Sequence, residues 1–173
     1  MIERPSEIRV LTQEDVSEWI RLRLEALEVD AKAFSASLDE YRLLSLDDVK
    51  TRLWSVPDAF VVGAFDDGKM LGMAGFYRDR GPKVRHKGRV WGVYVSSSRR
   101  GRGLGRQMMN ALLERAAAIP GIEQVLLSVT SSQTAALALY RSLGFQIFGT
   151  EPRALNAKGE FIDEHYLVLP LRK

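Results

Sequence analysis

The stretch VYVSSSRRGRGLGRQMMNALLERA, Val93–Ala116, decides how this chain is read. An apolar run gives way to three serines, then to four arginines and three glycines between Arg99 and Arg106, then to an amphipathic repeat. The first turn of a helix carries unpaired N–H groups and the positive end of the helix dipole. Glycines let the preceding loop turn tightly enough for those groups to close on an anion, and arginines add forked, charged donors. The stretch therefore reads as strand, anion-binding loop and helix; the competing reading is a plain connection with a solvated basic rim. Two familiar phosphate loops do not fit. The dinucleotide pattern needs a third glycine where Arg106 stands. The P-loop pattern nearly matches GAFDDGKM, Gly63–Met70, but Met70 replaces the magnesium-binding hydroxyl, and Asp67-Gly68 is a hairpin signal.

After the loop, Leu104, Met108 and Leu112, with Met109, Leu113 and Ala116, repeat at helical spacing until Pro120-Gly121. QVLLSV, from Gln124, is continuously apolar, as a strand buried on both faces should be. A second helix carries Leu139-Tyr140 and closes at Gly144, a C-cap glycine with Phe145 packing back. FQIFGT and EFIDEHYLVLPL supply the last two strands.

Before the loop, EIRVLT reads as a strand and Thr12 with Asp15 as a capping box. Val16, Trp19, Ile20, Leu24 and Leu27 form the apolar stripe of a helix. DAKAFSASLDEY is read as an irregular link. Ser45 with Asp48 caps a further helix with Leu46, Val49 and Leu53 facing inward, ended by Pro57 and Asp58. AFVVGAF and MLGMAGFYR pair as a hairpin, and a basic loop, RDRGPKVRHKGR, precedes VWGVYV. The predicted order is strand, helix, helix, three strands, helix, strand, helix, two strands. By pattern alone this is α/β or α+β.

Composition narrows the function. A chain of 173 residues, 46% apolar, suits one globular domain spanning 1–173. No run reaches the ~18 apolar residues of a membrane span, and the N-terminus lacks an apolar signal core, so a cytoplasmic protein without a membrane partner is expected. The absence of cysteine excludes disulfides, thiolate metal sites and a cysteinyl acyl-enzyme. Two histidines, His86 and His165, argue against a zinc centre, and no metal is expected. A net charge of +3 gives no ground for a nucleic-acid partner.

Arg100-x-x-Gly103-x-Gly105 after a strand ending in VYV resembles the acetyl-CoA loop of the GNAT superfamily of N-acetyltransferases. LLSVTSSQTAALALYRSLGF, Leu126–Phe145, is similar to the superfamily's second conserved block: strand, polar turn, then a helix with Leu-Tyr and a closing Leu-Gly-Phe. The resemblance implies an α+β, α/β-like GNAT fold. Its central sheet would be mixed and mostly antiparallel, with about six to seven strands. Helices would flank it, and a splayed cleft would take the cofactor.

The resemblance also implies roles. Exposed backbone of Val93, Tyr94 and Val95 would pair with the pantetheine arm. The N–H groups from Arg100 through Gly101, Arg102, Gly103, Leu104 and Gly105 to Arg106 would hold the pyrophosphate. Gln133 stands where the superfamily has Asn bonding the cofactor arm, with Ser131 or Ser132 expected to cap the helix. Tyr140 would be the general acid for the leaving thiolate; its other reading is core packing between Leu139 and Leu143. The usual glutamate base is replaced near Val90 or Trp91, leaving Glu164, Asp163, His86 and Glu151, of which Glu164 is taken as catalytic. Phe34, Tyr77 and Trp91 are expected to line the acceptor site, with Ser35, Tyr41 and Trp54 nearby. Asp39, Glu40, Asp163 and Glu164 would suit a cationic amine. The expected function is acetyl-CoA-dependent N-acetyl transfer to a primary amine, small molecule or peptide, without metal; a homodimer is compatible with it. The alternative is a non-catalytic CoA or acyl-CoA sensor of the same fold.

Overall fold

Residues 5–54 and 58–171 are described by a computed structural model of the chain; the helix end expected at Pro57 lies outside them. β1 (Glu7–Val10) leads through a short turn into α1 (Val16–Val29). Thr12 N–H donates to Asp15 Oδ2 at 2.8 Å, as the capping-box reading requires. The link read as irregular contains α2 (Leu38–Arg42), five residues opened by a second box: Ser37 N–H donates to Glu40 Oε2 at 2.7 Å. Five residues are too few to show helical periodicity, so only the box could have revealed it. α3 (Leu46–Trp54) starts on the predicted pair, with Asp48 N–H donating to Ser45 Oγ at 3.1 Å.

β2 (Phe60–Asp66) and β3 (Lys69–Arg78) turn at Asp67 and Gly68, both at positive φ, which the tight hairpin turn demands. Then follow β4 (Lys87–Val95), α4 (Leu104–Ala117), β5 (Gln124–Thr130), α5 (Thr134–Ser142), β6 (Gln146–Ala157) and β7 (Glu160–Pro170). The seven strands form one sheet in the order β1-β2-β3-β4-β5-β7-β6. Every neighbouring pair is antiparallel except β4–β5, which α4 joins as a parallel crossover. This is the mixed, mostly antiparallel α+β sheet expected from the sequence.

Apolar side chains leave each face of the sheet for a different helix layer. Trp19 and Leu22 of α1 and Val49 and Leu53 of α3 pack on one face. Met108, Met109 and Leu112 of α4 pack on the other, with Tyr140 of α5. The buried face of α1 is Val16, Trp19, Leu22, Arg23, Ala26 and Leu27, rotated from the expected stripe so that Leu24 is only half-buried and an arginine is enclosed. Among the described residues no helix is long and apolar enough to cross a membrane.

Two irregularities in β4 shape everything nearby. Its pairing with β5 covers only Lys87–Arg89 against Gln124–Leu126. Against β3, Met73 faces Tyr94 while Gly75 faces Trp91, so β4 spends three steps where β3 spends two. The extra residue lies around Gly92, whose φ is 63°. Such a bulge bends its strand and raises the local twist. It also explains why Trp91 and Tyr94, three apart, share the α1 face, while Val90, Val93 and Val95 turn to α4.

An added Cβ at Gly92 would sit at ordinary contact distance, 3.5 Å, from Arg23 Nη1, so its conformation, not crowding, requires glycine. Gly92→Ala should therefore cost about 1–2 kcal/mol in urea unfolding; an unchanged midpoint would mean that alanine takes the left-handed conformation without strain. A second expectation concerns acid. Arg9 grips Asp15 at 2.7 and 2.8 Å and holds its carboxyl at about 2. A depressed pKa stabilises above the ordinary value near 3.8 and is lost as pH falls through that value towards 2. Asp15→Asn should lose on the order of 2 kcal/mol at neutral pH and flatten the acid limb of a stability–pH curve.

Candidate functional site

A cavity of about 690 Å³ opens where β4 and β5 part. Its walls come from both faces of the sheet: Arg23, Phe34 and Tyr41 on one, Leu104, Gln133, Leu139 and Tyr140 on the other. The cavity thus passes through the sheet, which an unbroken ladder would forbid. Between the walls run Val93, Tyr94 and Val95 of β4. The Val93 and Val95 side chains turn towards α4. Tyr94 turns to α1, where its hydroxyl lies 3.0 Å from Glu25 and burial with that bond pushes its phenol to about 12. What this stretch offers the cavity is mainly backbone.

At the end of β4 the chain makes a short turn at Ser97–Arg99 and enters α4 through Gly101 and Gly103, with φ of 74° and 78°. Gly103 is the N-cap: its carbonyl accepts from Gln107 N–H at 3.1 Å. The N–H groups of the first turn, from Leu104 to Arg106, have no acceptor within the helix. A Cβ on Gly101 or Gly103 would meet nothing within 4 Å, so bare backbone lies open there. At Gly105 a Cβ would approach Leu139 Cδ2 to 3.2 Å, because α4 and α5 close on each other at that point.

The arginines of the loop are braces. Arg100 donates from Nε to the Val95 carbonyl at 2.9 Å and from Nη2 to Asp30 at 2.6 Å, and its guanidinium lies 5.3 Å from the centre of the Tyr94 ring. It ties the end of β4 to the end of α1. Arg106 donates to Ser142 Oγ at 2.7 Å, linking α4 to the C-terminal end of α5, where a cation suits the helix dipole. Arg99 pairs with Asp66. Arg102 is exposed between the two left-handed glycines and is not part of the cavity lining.

On the opposite wall, Gln133 is itself the N-cap of α5 and makes no side-chain cap bond; neither Ser131 nor Ser132 takes that position. The helix ends at Gly144, φ 97°. Phe145 N–H donates to the Tyr140 carbonyl and Gly144 N–H to that of Arg141. This left-handed C-cap folds Phe145 back, edge-on to Tyr140 with ring centroids 6.0 Å apart, and so fixes the tyrosine against the cavity. Burial pushes its phenol well above the ordinary value, so the hydroxyl stays protonated at neutral pH.

Glu164 lines the cavity from β7, opposite Thr130 of β5 and Glu151 of β6. The other base candidates do not. Asp163 Oδ1 accepts from Arg153 N–H at 2.8 Å, Glu151 accepts from the Tyr166 hydroxyl, and His86 lies in the turn before β4. Phe34 and Trp91 reach the cavity, but Tyr77 does not. It faces Arg89, the last β4 residue still paired with β5, so it stands before the gap opens. Asp39 and Glu40 on α2 also lie outside. Gly92 and Arg23 are among the wall residues that the sequence did not single out. Gly92 is a lone glycine in a strand, itself a bulge signal. Arg23 sits one turn after Trp19 on an otherwise apolar stripe. Among the described residues no group of three or more His, Cys, Asp or Glu is arranged for a metal.

Known proteins share this fold. The profile of the acetyltransferase (GNAT) family matches residues 20–145. A Pseudomonas aeruginosa L-methionine sulfoximine/L-methionine sulfone acetyltransferase is 37% identical over 105 residues, 60% of this chain and 60% of that protein. The match thus spans under two thirds of such a relative. A GNAT-family acetyltransferase from Streptococcus pneumoniae superposes with a TM-score of 0.85 at 24% identity, covering 96% of this chain and 99% of that one. The Salmonella typhimurium protein YncA, in a structure with its cofactor acetyl-CoA, superposes with a TM-score of 0.79 at 22% identity, covering 98% and 96%. With the family profile covering most of the chain and the split sheet in place, this chain belongs to the acetyltransferase (GNAT) family.

Proposed function

We propose that the chain is an acetyl-CoA-dependent N-acetyltransferase acting directly on a primary amine. The observation that carries this is the gap after Arg89, which joins an open strand edge to a glycine-lined helix N-terminus within one cavity. That donor set fits the ligand. The side of Val93–Val95 turned away from β3 has no strand beside it and suits the amides of a pantetheine arm, which need partners away from water, with the Val95 carbonyl already taken by Arg100. The first-turn N–H groups of α4, beside open Gly101 and Gly103, suit a pyrophosphate. For Arg100 and Arg106 the contribution is backbone and field, since both side chains are engaged elsewhere. Gln133 offers its amide to the arm. Acetyl-CoA supplies an activated acetyl thioester, and the balance exchanges a C–S for a C–N bond while one proton leaves the amine and one reaches sulfur.

The chain's own groups divide that proton traffic. Tyr140 Oη is protonated at neutral pH and Tyr140 lines the cavity, so it is placed to donate to sulfur as the thiolate leaves. Glu164, the one base candidate on the cavity wall, would accept the proton from the amine. Phe34 and Trp91 would flank the acceptor. With no cysteine to carry an acetyl group, transfer occurs within a complex of both substrates. The single domain over 1–173 and the cytoplasmic setting belong to the same reading and rest on the sequence.

A panel of amines assayed for CoA release tests the whole reading: amine-dependent release supports it, while tight CoA binding without release would favour the sensor. Gly103→Val places a branched side chain at φ 78° over the open helix terminus. CoA affinity should fall about tenfold or more, ~1.4 kcal/mol, with the melting transition retained. Unchanged affinity in a folded variant would remove the phosphate assignment. Tyr140→Phe keeps the ring and deletes the acid. Turnover should drop by ~30-fold or more at neutral pH with CoA affinity intact, and the deficit should shrink as pH rises and the thiolate needs less help. Full turnover at every pH would reduce Tyr140 to a packing residue.

A further inference from the structure

The buried side-chain polar atoms that lack a partner among the described residues are all donors, and they share one place: Trp19 Nε1, Arg23 Nε and Arg23 Nη1. Trp19 and Arg23 are one turn apart on α1, so their side chains are neighbours. Both meet Tyr41: its ring centroid is 6.1 Å from that of Trp19 and 4.9 Å from the Arg23 guanidinium. Phe34 covers the guanidinium at 4.7 Å. Arg23 is only 5% exposed, yet it is part of the cavity wall beside Gly92.

This is a costly arrangement for a cation. Burial alone lowers the pKa of Arg23, with only Tyr41 opposing it, and no carboxylate contributes. An enclosed guanidinium without a counter-ion normally destabilises a fold. The aromatic rings offset part of that cost through their negative faces. They leave Nε and Nη1 without an acceptor. An anionic acceptor oxygen, as a carboxylate offers, would satisfy Nη1, the donor that lies beside Gly92 on the cavity wall. Asp30 cannot serve, because Arg100 holds it at 2.6 Å. Of the acidic residues expected to suit a cationic amine, Asp39 and Glu40 stand outside the cavity and Glu164 lines it, while the α1 wall carries the Arg23 charge.

We propose that Arg23 recognises a carboxylate of the acceptor, so the acceptor is an amine that also carries a carboxylate, as an amino acid does. The inference rests on the transfer reading above and names its substrate class. Arg23 binds and positions; it moves no proton. The competing role is a structural brace for the Gly92 bulge, which a Cβ at that glycine would approach to 3.5 Å.

Matched acceptors separate the two roles. Leucine and isopentylamine, or phenylalanine and phenethylamine, differ only in the carboxylate. The wild-type enzyme should prefer the amino acid of each pair by at least ~10-fold in kcat/KM. Arg23→Met should lose that factor on the amino acids, leave the plain amines nearly unchanged and keep CoA affinity. Arg23→Lys, which keeps charge but not the fork, should fall between. Because the methionine variant removes an uncompensated buried charge, its Tm should equal or exceed that of the wild type. Equal rates for both members of each pair, or an equal loss on both with a lowered Tm, would overturn the inference while leaving N-acetyl transfer standing. Calorimetry without acetyl-CoA gives a second arm. N-acetylleucine should bind the wild type and bind Arg23→Met at least ~10-fold more weakly, while N-acetylisopentylamine binds both alike. If CoA binds but no amine is acetylated, the transfer reading falls, and this arm alone decides whether Arg23 holds a carboxylate.

Discussion

After Arg89 the ladder between β4 and β5 stops, and the rest of the site depends on that break. A parallel pair at the centre of a sheet is normally continuous and buried on both faces. Here α4 packs one face and α1 the other, so the sheet cannot simply end; it divides. The bulge at Gly92 accompanies the division by adding a residue to β4 and bending it away. Backbone groups that would have paired across the sheet face a cavity reaching both helix layers.

The charges around this opening do two different jobs. Arg100 and Arg106 are spent on structure, tying strand end to helix end and one helix to the next. They hold the walls of the opening at a fixed separation. Lys32 does the same from outside, pairing with Glu160 at 2.5 Å and fastening the link after α1 to the start of β7. Arg23 is the exception: it is enclosed by aromatic rings with no anion beside it. Around the opening Arg99, Arg100 and Arg106 have partners in the fold, whereas Nε and Nη1 of Arg23, on α1, are buried without one.

Much of this was legible in the chain. Capping boxes at Thr12–Asp15 and Ser45–Asp48 marked helix starts because a side chain three residues on can reach back only in that geometry. Gly144 followed by Phe145 marked the end of α5 because a left-handed cap needs glycine and a returning apolar side chain. Tyr77 and Arg102 lie outside the cavity lining for a common reason. Each lies near cavity residues in sequence, but Tyr77 stands before the gap and Arg102 sits in an exposed turn between left-handed glycines.

Local chemistry, then, was determined by the amino-acid sequence alone: which segments are the strands and the longer helices, where the glycine-lined helix start lies, and that no thiol can carry an acyl group. These follow from interactions within a few residues, or from composition, and need no partner from elsewhere in the chain. The tertiary structure decided which surfaces meet. Only the register of β4 against β3 and β5 locates the bulge and the gap, because a one-residue difference in pairing leaves no mark on either strand read by itself. Only the packing of α1 against α2 and the Phe34 link encloses Arg23, since whether a charge on a helical stripe is solvated or buried depends on what the rest of the chain lays over it.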